Sequence, residues 1–178
     1  MTHSKTIIKN EIAGSRNRLY RVALAWCSDP MLAEDLVHET ITSGIDKSHQ
    51  LRDTKQLYAW LYSILNNKWY RYLQKRKEHV NLDENIACEN SGPDENCHDL
   101  QLASQVREAI TKLPHVERQV ISLVDLDELS YIEVAKVLEI PIGTVMSRLH
   151  RARKNLLEKV TALSCQADIR RQHLHRVK

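Results

Sequence analysis

A chain of 178 residues with 28% charged and 42% hydrophobic residues has room for one medium domain or two small ones and is too apolar for full disorder. With 4 Gly, 4 Pro and no Phe, it suits a helical protein better than a turn-rich β-sandwich, and the net charge of +3 says little until its distribution is read. Gly14, Gly44, Gly92 and Gly143 stand too far apart for a G-x-G-x-x-G or G-x-x-x-x-G-K loop, which excludes nucleotide-cradling enzymes of those two kinds.

At the start of the chain, Ile7-Ile8 between polar residues is no secretory core. The longest uninterrupted apolar run, Val22 to Cys27, is far too short for a bilayer, so no membrane insertion is expected. Cys27, Cys88, Cys97 and Cys165 are then expected as reduced thiols in a cytoplasm. Asp29-Pro30 reads as an N-cap followed by proline at the first helical position, with Glu34 and Asp35 near the positive helix end. The helix so opened should run to about Gly44.

Leu57, Trp60, Leu61, Ile64 and Leu65 recur at three and four, predicting a buried stripe on a long helix to about Lys77. Six of the nine aromatic residues fall there: Tyr58, Trp60, Tyr62, Trp69, Tyr70 and Tyr72. They are interleaved with Lys68, Arg71, Lys75, Arg76 and Lys77 and with the amides of Asn66, Asn67 and Gln74. Rings that stack on unpaired bases, beside cations that follow phosphates, are what single-stranded nucleic acid requires. Trp60 continues the apolar stripe and is read as core, whereas at least one of Trp69, Tyr70 and Tyr72 should be exposed.

The block from Lys68 to His79 carries five Lys/Arg and one acid, whereas Val80 to Gln101 carries six acids and no Lys or Arg. The latter includes Asn90-Ser91-Gly92-Pro93-Asp94 and has no sustained helical period, so it reads as a linker. Cys88, Cys97 and His98 lie in it without the paired spacing of zinc modules, and neither metal nor cofactor is expected. Beyond it, Leu102, Val106, Ala109, Ile110 and Leu113 form another apolar face, closed before Pro114.

Ser130-Tyr131-Ile132-Glu133 fits a capping box at the head of a short helix carrying Val134, Ala135, Val137 and Leu138. Glu139-Ile140-Pro141 breaks that helix, and a second follows from about Ile142. On it, Val145, Leu149, Ala152 and Leu156 make an apolar face, while Thr144, Ser147, Arg148, Arg151, Lys154 and Asn155 line the opposite side. This is a helix-turn-helix whose second helix fits the major groove, arginine reading guanine with two hydrogen bonds and Ser or Thr fixing phosphates or base edges. The amide-bearing helix start near Gly143-Thr144 adds a phosphate seat. The fold class expected is therefore all-α: two small helical domains joined by a flexible acidic linker, the C-terminal one containing the helix-turn-helix.

At these residues the chain resembles a bacterial sigma factor of the extracytoplasmic-function (ECF) group, from about Arg16 to Leu163. The C-terminal likeness lies in Leu129 to Ala135 and Ile140 to Arg153, similar to the family's fourth region, which binds the −35 promoter element. It implies DNA contacts at Met146, Ser147, Arg148, His150, Arg151 and Arg153, with Tyr131 and Glu133 near the backbone, and Thr144 and Lys154 join them from the polar face. Ala33 to Thr40 resembles the segment that grips the clamp of core RNA polymerase, implying contacts by Asp35, Leu36, Val37, His38, Glu39 and Thr40. His38 stands where the family usually has glutamine.

Ala59 to Asn67 resembles the segment that melts and reads the −10 element. That implies roles for Tyr62, Asn66 and Asn67, to which the aromatic-basic block adds Lys68, Trp69, Tyr70, Arg71, Tyr72, Lys75 and Arg76. Arg71 and Gln74 occupy positions where a common family pattern has aspartate and arginine. The domains expected are 1–79, reading −10 and binding polymerase, a linker at 80–100, a −35 domain at 101–163, and a basic tail at 164–178. The resemblance also implies a non-enzymatic, cytoplasmic bacterial protein, often held by an anti-sigma factor, with no small-molecule substrate. Two rivals stand beside this reading: a stand-alone helix-turn-helix regulator of duplex DNA, and a small metal- or thiol-dependent enzyme using Cys88, Cys97 and His98.

Overall fold

The computed structural model describes residues 2–51, 53–79 and 106–175, with side chains over 7–51, 53–76 and 106–162. The expected linker, with Cys88, Cys97 and His98, lies outside the described residues, as does Leu102. Every described residue is in a helix or a connecting turn, with no strand among them.

Helix α1 (Thr2–Gly14) breaks at Ser15, whose hydroxyl donates to the Ile12 carbonyl at 2.6 Å, and α2 (Arg16–Cys27) follows at once. Ser28, at φ 58°, ends α2 by returning its N–H to the Leu24 carbonyl. Helix α3 (Pro30–Asp46) begins as its sequence predicts: Asp29 accepts from the amides of Met31 and Leu32, and Pro30 supplies a preset φ where no amide partner is needed. Gly44, expected near the end of α3, lies two residues before it and is also a buried contact point. A Cβ there would stand 2.9 Å from Leu61 Cδ2 and 3.3 Å from Ile12 Cγ2, so its lack of a side chain lets α3 approach α1 and α4. Helix α4 (Leu57–His79) is the long element foreseen; Leu57, Leu61 and Leu65 are buried, and Trp60 and Ile64 pack at the core's margin.

In the C-terminal half, helical residues 106–111 (α5) bury Ala109 and Ile110. Past Pro114, α6 (His115–Ile121) runs into a π-helical turn, Ser122–Leu126, which the periodicity does not announce. Then come α7 (Tyr131–Leu138) and α8 (Ile142–His175). Val145, Leu149 and Ala152 are fully or almost fully buried, and Leu156 packs beside them. At roughly 1.5–3 kcal/mol for each large aliphatic side chain taken from water, this stripe fixes α8 against α6 and α7. Asn155 adds a polar tie, donating to Glu117 at 2.8 Å.

The apolar interior does not stop at the boundary between halves. One cluster runs from Ile12, Trp26 and Leu65 to Val120, Val134 and Leu149, because α2 packs on α6 and the π-helical turn while α4 packs on α7.

Candidate nucleic-acid interface

The helix-turn-helix is built from its caps outward. The Ser130 hydroxyl accepts the Glu133 amide at 3.3 Å, and Glu133 Oε2 takes the Ser130 amide at 2.8 Å and its hydroxyl at 2.6 Å. Those hydrogen bonds to the ionised form hold the Glu133 carboxyl below its ordinary range, against a smaller opposing effect of burial. Glu133 is thereby committed to opening α7 in this arrangement. At the other end Glu139 takes φ 54°, a left-handed residue that turns the chain sharply and directs α8 across α7.

On α8 the residues expected to touch DNA divide by position. Ser147, His150, Arg151, Arg153 and Lys154 are exposed, and Thr144 and Arg148 are half-buried. Arg153 is engaged by Asp125 of the π-helical turn, and Arg151 Nε makes only a long 3.4 Å contact to the Ser147 carbonyl. Tyr131 is half-buried at the head of α7. Met146, among the contacts that the resemblance implies, is exposed, as are the apolar Ile142 of α8 and Ile132 of α7. Side chains of this kind make the apolar contacts that distinguish a thymine methyl group.

The aromatic-basic block of α4 divides more sharply. Tyr70, Asn67, Arg71, Lys75 and Arg76 are exposed, which satisfies the expectation of at least one free ring, and Lys68 and Tyr72 are half-buried. Tyr62, Asn66 and Trp69 are instead buried, so in this arrangement none of them is presented to a strand. Trp69 stacks on Tyr72 with ring centroids 5.6 Å apart, an intramolecular use for two rings expected to take bases. Asn66 accepts from Gln119 Nε2 at 3.0 Å and donates to the Val137 carbonyl at 3.2 Å. Burial, and the neighbouring Asp127, push the Tyr62 phenol well above its ordinary range.

Asp127 joins the halves. Arg18 donates to its Oδ1 from Nε at 2.7 Å and to its carbonyl from Nη2 at 2.8 Å, while stacking over the Tyr58 ring at 3.8 Å. Burial disfavours the Arg18 charge, but the carboxylate outweighs it and raises the guanidinium pKa. Two further ties cross the boundary, Trp26 Nε1 to Ser122 Oγ and Arg118 Nη1 to Ser28 Oγ, both at 2.7 Å.

On α3 the expected polymerase-binding residues separate by helical face. Asp35, His38 and Glu39 are exposed, whereas Leu36, Val37 and Thr40 are buried and hold the helix to its neighbours, so the burial corrects their expected role as direct contacts in this arrangement. Glu39 reaches Lys68 at 3.0 Å, linking this surface to the basic block of α4. Met31, 81% exposed, lies one turn before Asp35 on the same helix. Among the described residues no group of three His, Cys, Asp or Glu side chains is placed to hold a metal ion, and no helix is long and apolar enough to cross a membrane.

The chain is similar to known proteins in both halves. Residues 5–79 match the family model of sigma-70 region 2, and residues 103–156 match that of sigma-70 region 4. The chain is 34% identical to the ECF RNA polymerase sigma-E factor of Escherichia coli, over 72% of this chain and 74% of that protein. It is 28% identical to the ECF sigma factor SigW of Bacillus subtilis, over 83% and 86% of the two chains. Among solved structures it is similar to the sigma factor RpoE of Bartonella quintana, which was determined in complex with the anti-sigma factor NepR. The TM-score is 0.75 and the identity 29%, covering 86% of this chain and 96% of that one.

Proposed function

Because the chain belongs to the ECF sigma factors, non-enzymatic subunits that direct RNA polymerase to promoters, we propose that α8 reads a duplex −35 element and α4 engages the melted −10 strand. The observation that carries the reading is the line of Ser147, Arg151 and Lys154, exposed on α8 opposite the buried Val145, Leu149 and Ala152. Arg151 offers the two-donor fork that guanine accepts, and Lys154, three residues further along α8, a charge for a phosphate. Asp35, His38 and Glu39 on α3 supply the surface for core polymerase, with Met31 beside them. On the N-terminal half, Tyr70 is the ring free to stack, among Asn67, Arg71, Lys75 and Arg76.

The domains implied are 1–79 for polymerase and −10, and 101–163 for −35, joined by the acidic segment 80–100. Two contacts on one tether strengthen each other through effective concentration and set the spacing between elements. An anti-sigma factor is the partner expected to restrain it, by likeness to the Bartonella complex, and its place of action is the bacterial cytoplasm.

The test is reconstitution of the purified chain with core RNA polymerase on a fragmented genomic library. Discrete start sites that vanish without the chain are expected and yield both promoter elements. Failure to bind core, with tight binding to duplex DNA alone, would transfer the protein to the class of stand-alone helix-turn-helix regulators.

A further inference from the structure

The start of α8 carries exposed carbon on one flank and nitrogen donors on the other. Met146, the fifth residue of the helix, is 53% exposed, and Ile142, one turn before it, is 45% exposed. His150 follows Met146 at one turn and Arg153 at two, so helical spacing puts all four on one flank. The guanidinium on that flank is already taken, since Asp125 accepts two hydrogen bonds from Arg153. Arg151 lies roughly 140° round the helix from Met146, beyond Ser147, with Arg148 on its far side. One flank therefore offers donors to guanine O6 and N7, and the other offers a thioether that donates nothing.

We propose that Met146 is a specificity-determining residue of α8, packing against the C5-methyl group of a thymine in the major groove of the −35 element. This deepens, and rests on, the reading of α8 as the duplex-reading helix.

Position along the helix supports the assignment. The N-terminal residues of a recognition helix reach base edges, and Met146 stands next to Ser147 of the polar line. Charge says what covers the exposed carbon. Arg148, Arg151 and Lys154 surround it with positive charge, and the duplex major groove sets an apolar methyl group between two walls of phosphate. Chemistry then selects the base. Thioether and thymine methyl lose water together, a gain that scales with the area covered. Cytosine in the same place lacks the methyl group and presents an amino donor that the thioether accepts only weakly, so desolvation goes uncompensated. Methionine is also unbranched and adapts its shape to a small target.

The test selects binding sites for the full chain from a pool of random duplexes, with and without core RNA polymerase. Each thymine of the enriched element is then replaced by deoxyuridine, which removes the C5-methyl group alone. At one position the native chain should lose about fourfold in affinity, the worth of one buried methyl group. In Met146→Ala the thymine duplex should bind at least about fourfold more weakly, and deoxyuridine should cost nothing further, as a double-mutant cycle requires. Met146→Leu keeps the apolar contact and should keep the discrimination. Because Met146 is exposed, helicity and melting temperature should match the native chain in both variants.

An element with no methyl-sensitive thymine overturns the proposal. Sensitivity that persists undiminished in Met146→Ala also overturns it, and would leave the exposed methionine to a protein partner. Paired −35 and −10 elements recovered with polymerase but indifferent to deoxyuridine would remove the methyl contact alone. Discrimination that depends on Met146 but appears only without polymerase would remove the promoter reading and leave the contact. A pool that enriches no sequence in either form would remove both.

Discussion

Arg153 and Asp125 form a two-point contact across the C-terminal half, Nη2 to Oδ1 at 2.6 Å and Nε to Oδ2 at 3.1 Å. The pair sets one arginine of α8 apart from Arg151, whose guanidinium makes only the long contact to Ser147. An arginine already matched to a carboxylate must leave it before reaching DNA, and the two gains largely cancel. Arg151→Ala should therefore cost about 1–3 kcal/mol of duplex binding and relax base preference, with Arg153→Ala well below it. Asp125→Ala should release Arg153 and steepen the salt dependence of duplex binding by about one phosphate contact. It should change folding stability by no more than about 1 kcal/mol, since the pair is partly solvated. Titrations of each variant over a range of salt concentrations check all three, and equal losses for Arg151→Ala and Arg153→Ala would remove the distinction.

Trp69 and Tyr70 are adjacent but differ in burial, 5% against 42% exposed, and their substitutions should separate accordingly. Trp69→Ala removes a buried ring stacked on Tyr72 and should destabilise the fold by about 3–5 kcal/mol. Tyr70→Ala should leave stability within about 0.5 kcal/mol yet slow promoter opening. Thermal unfolding reads the first effect and permanganate footprinting of the −10 region the second. Normal opening with Tyr70→Ala would take that ring out of the strand-engaging set.

The contrast between those two residues shows where the sequence is legible. Asp29-Pro30 and Ser130…Glu133 announce helix starts because capping is local, using partners within three residues, and both caps form as read. The buried face of α8 follows from spacing alone. The end of α3 falls within two residues of the expected Gly44, but that glycine's place at a helix crossing shows only when Leu61 and Ile12 are seen against it. The burial of Tyr62 and Asn66 was out of reach for a further reason: the groups that cover them, Gln119, Asp127 and Val137, lie 53 to 71 residues away. No periodicity within α4 encodes that contact. Aromatics among cations point to a candidate nucleic-acid segment without saying which of its rings the fold leaves exposed.

Glu139 carries φ 54° with a Cβ, at the turn that positions α8. A left-handed conformation costs a non-glycine residue roughly 1–2 kcal/mol, partly offset in a glycine variant by the larger freedom of the unfolded chain. Glu139→Gly should accordingly stabilise the protein by about 0.5–1 kcal/mol, raising the melting temperature by a few degrees without moving duplex affinity. Glu139→Val, which places a branched side chain in the same conformation, should lower it. A glycine variant less stable than the native chain would mean that the glutamate side chain itself supports the turn.

The capping box also fixes a pH dependence whose sign follows from Glu133. Its carboxyl is held below the unfolded value of about 4.3, so the folded state binds its proton less readily than the unfolded state does. The contribution to stability is therefore present in full above about pH 4.3 and lost as pH falls through the lowered value. Because other carboxylates titrate in the same window, the informative quantity is the difference in melting temperature between the native chain and Glu133→Gln. That difference should favour the native chain at neutral pH and shrink towards zero on acidification, the neutral acid being a poorer acceptor for the Ser130 amide and hydroxyl. Ser130→Ala, which removes the reciprocal bond at a cost of about 1 kcal/mol, should flatten the same dependence. A difference that stayed constant from neutral pH into acid would mean that the ionised Glu133 does not contribute to opening α7.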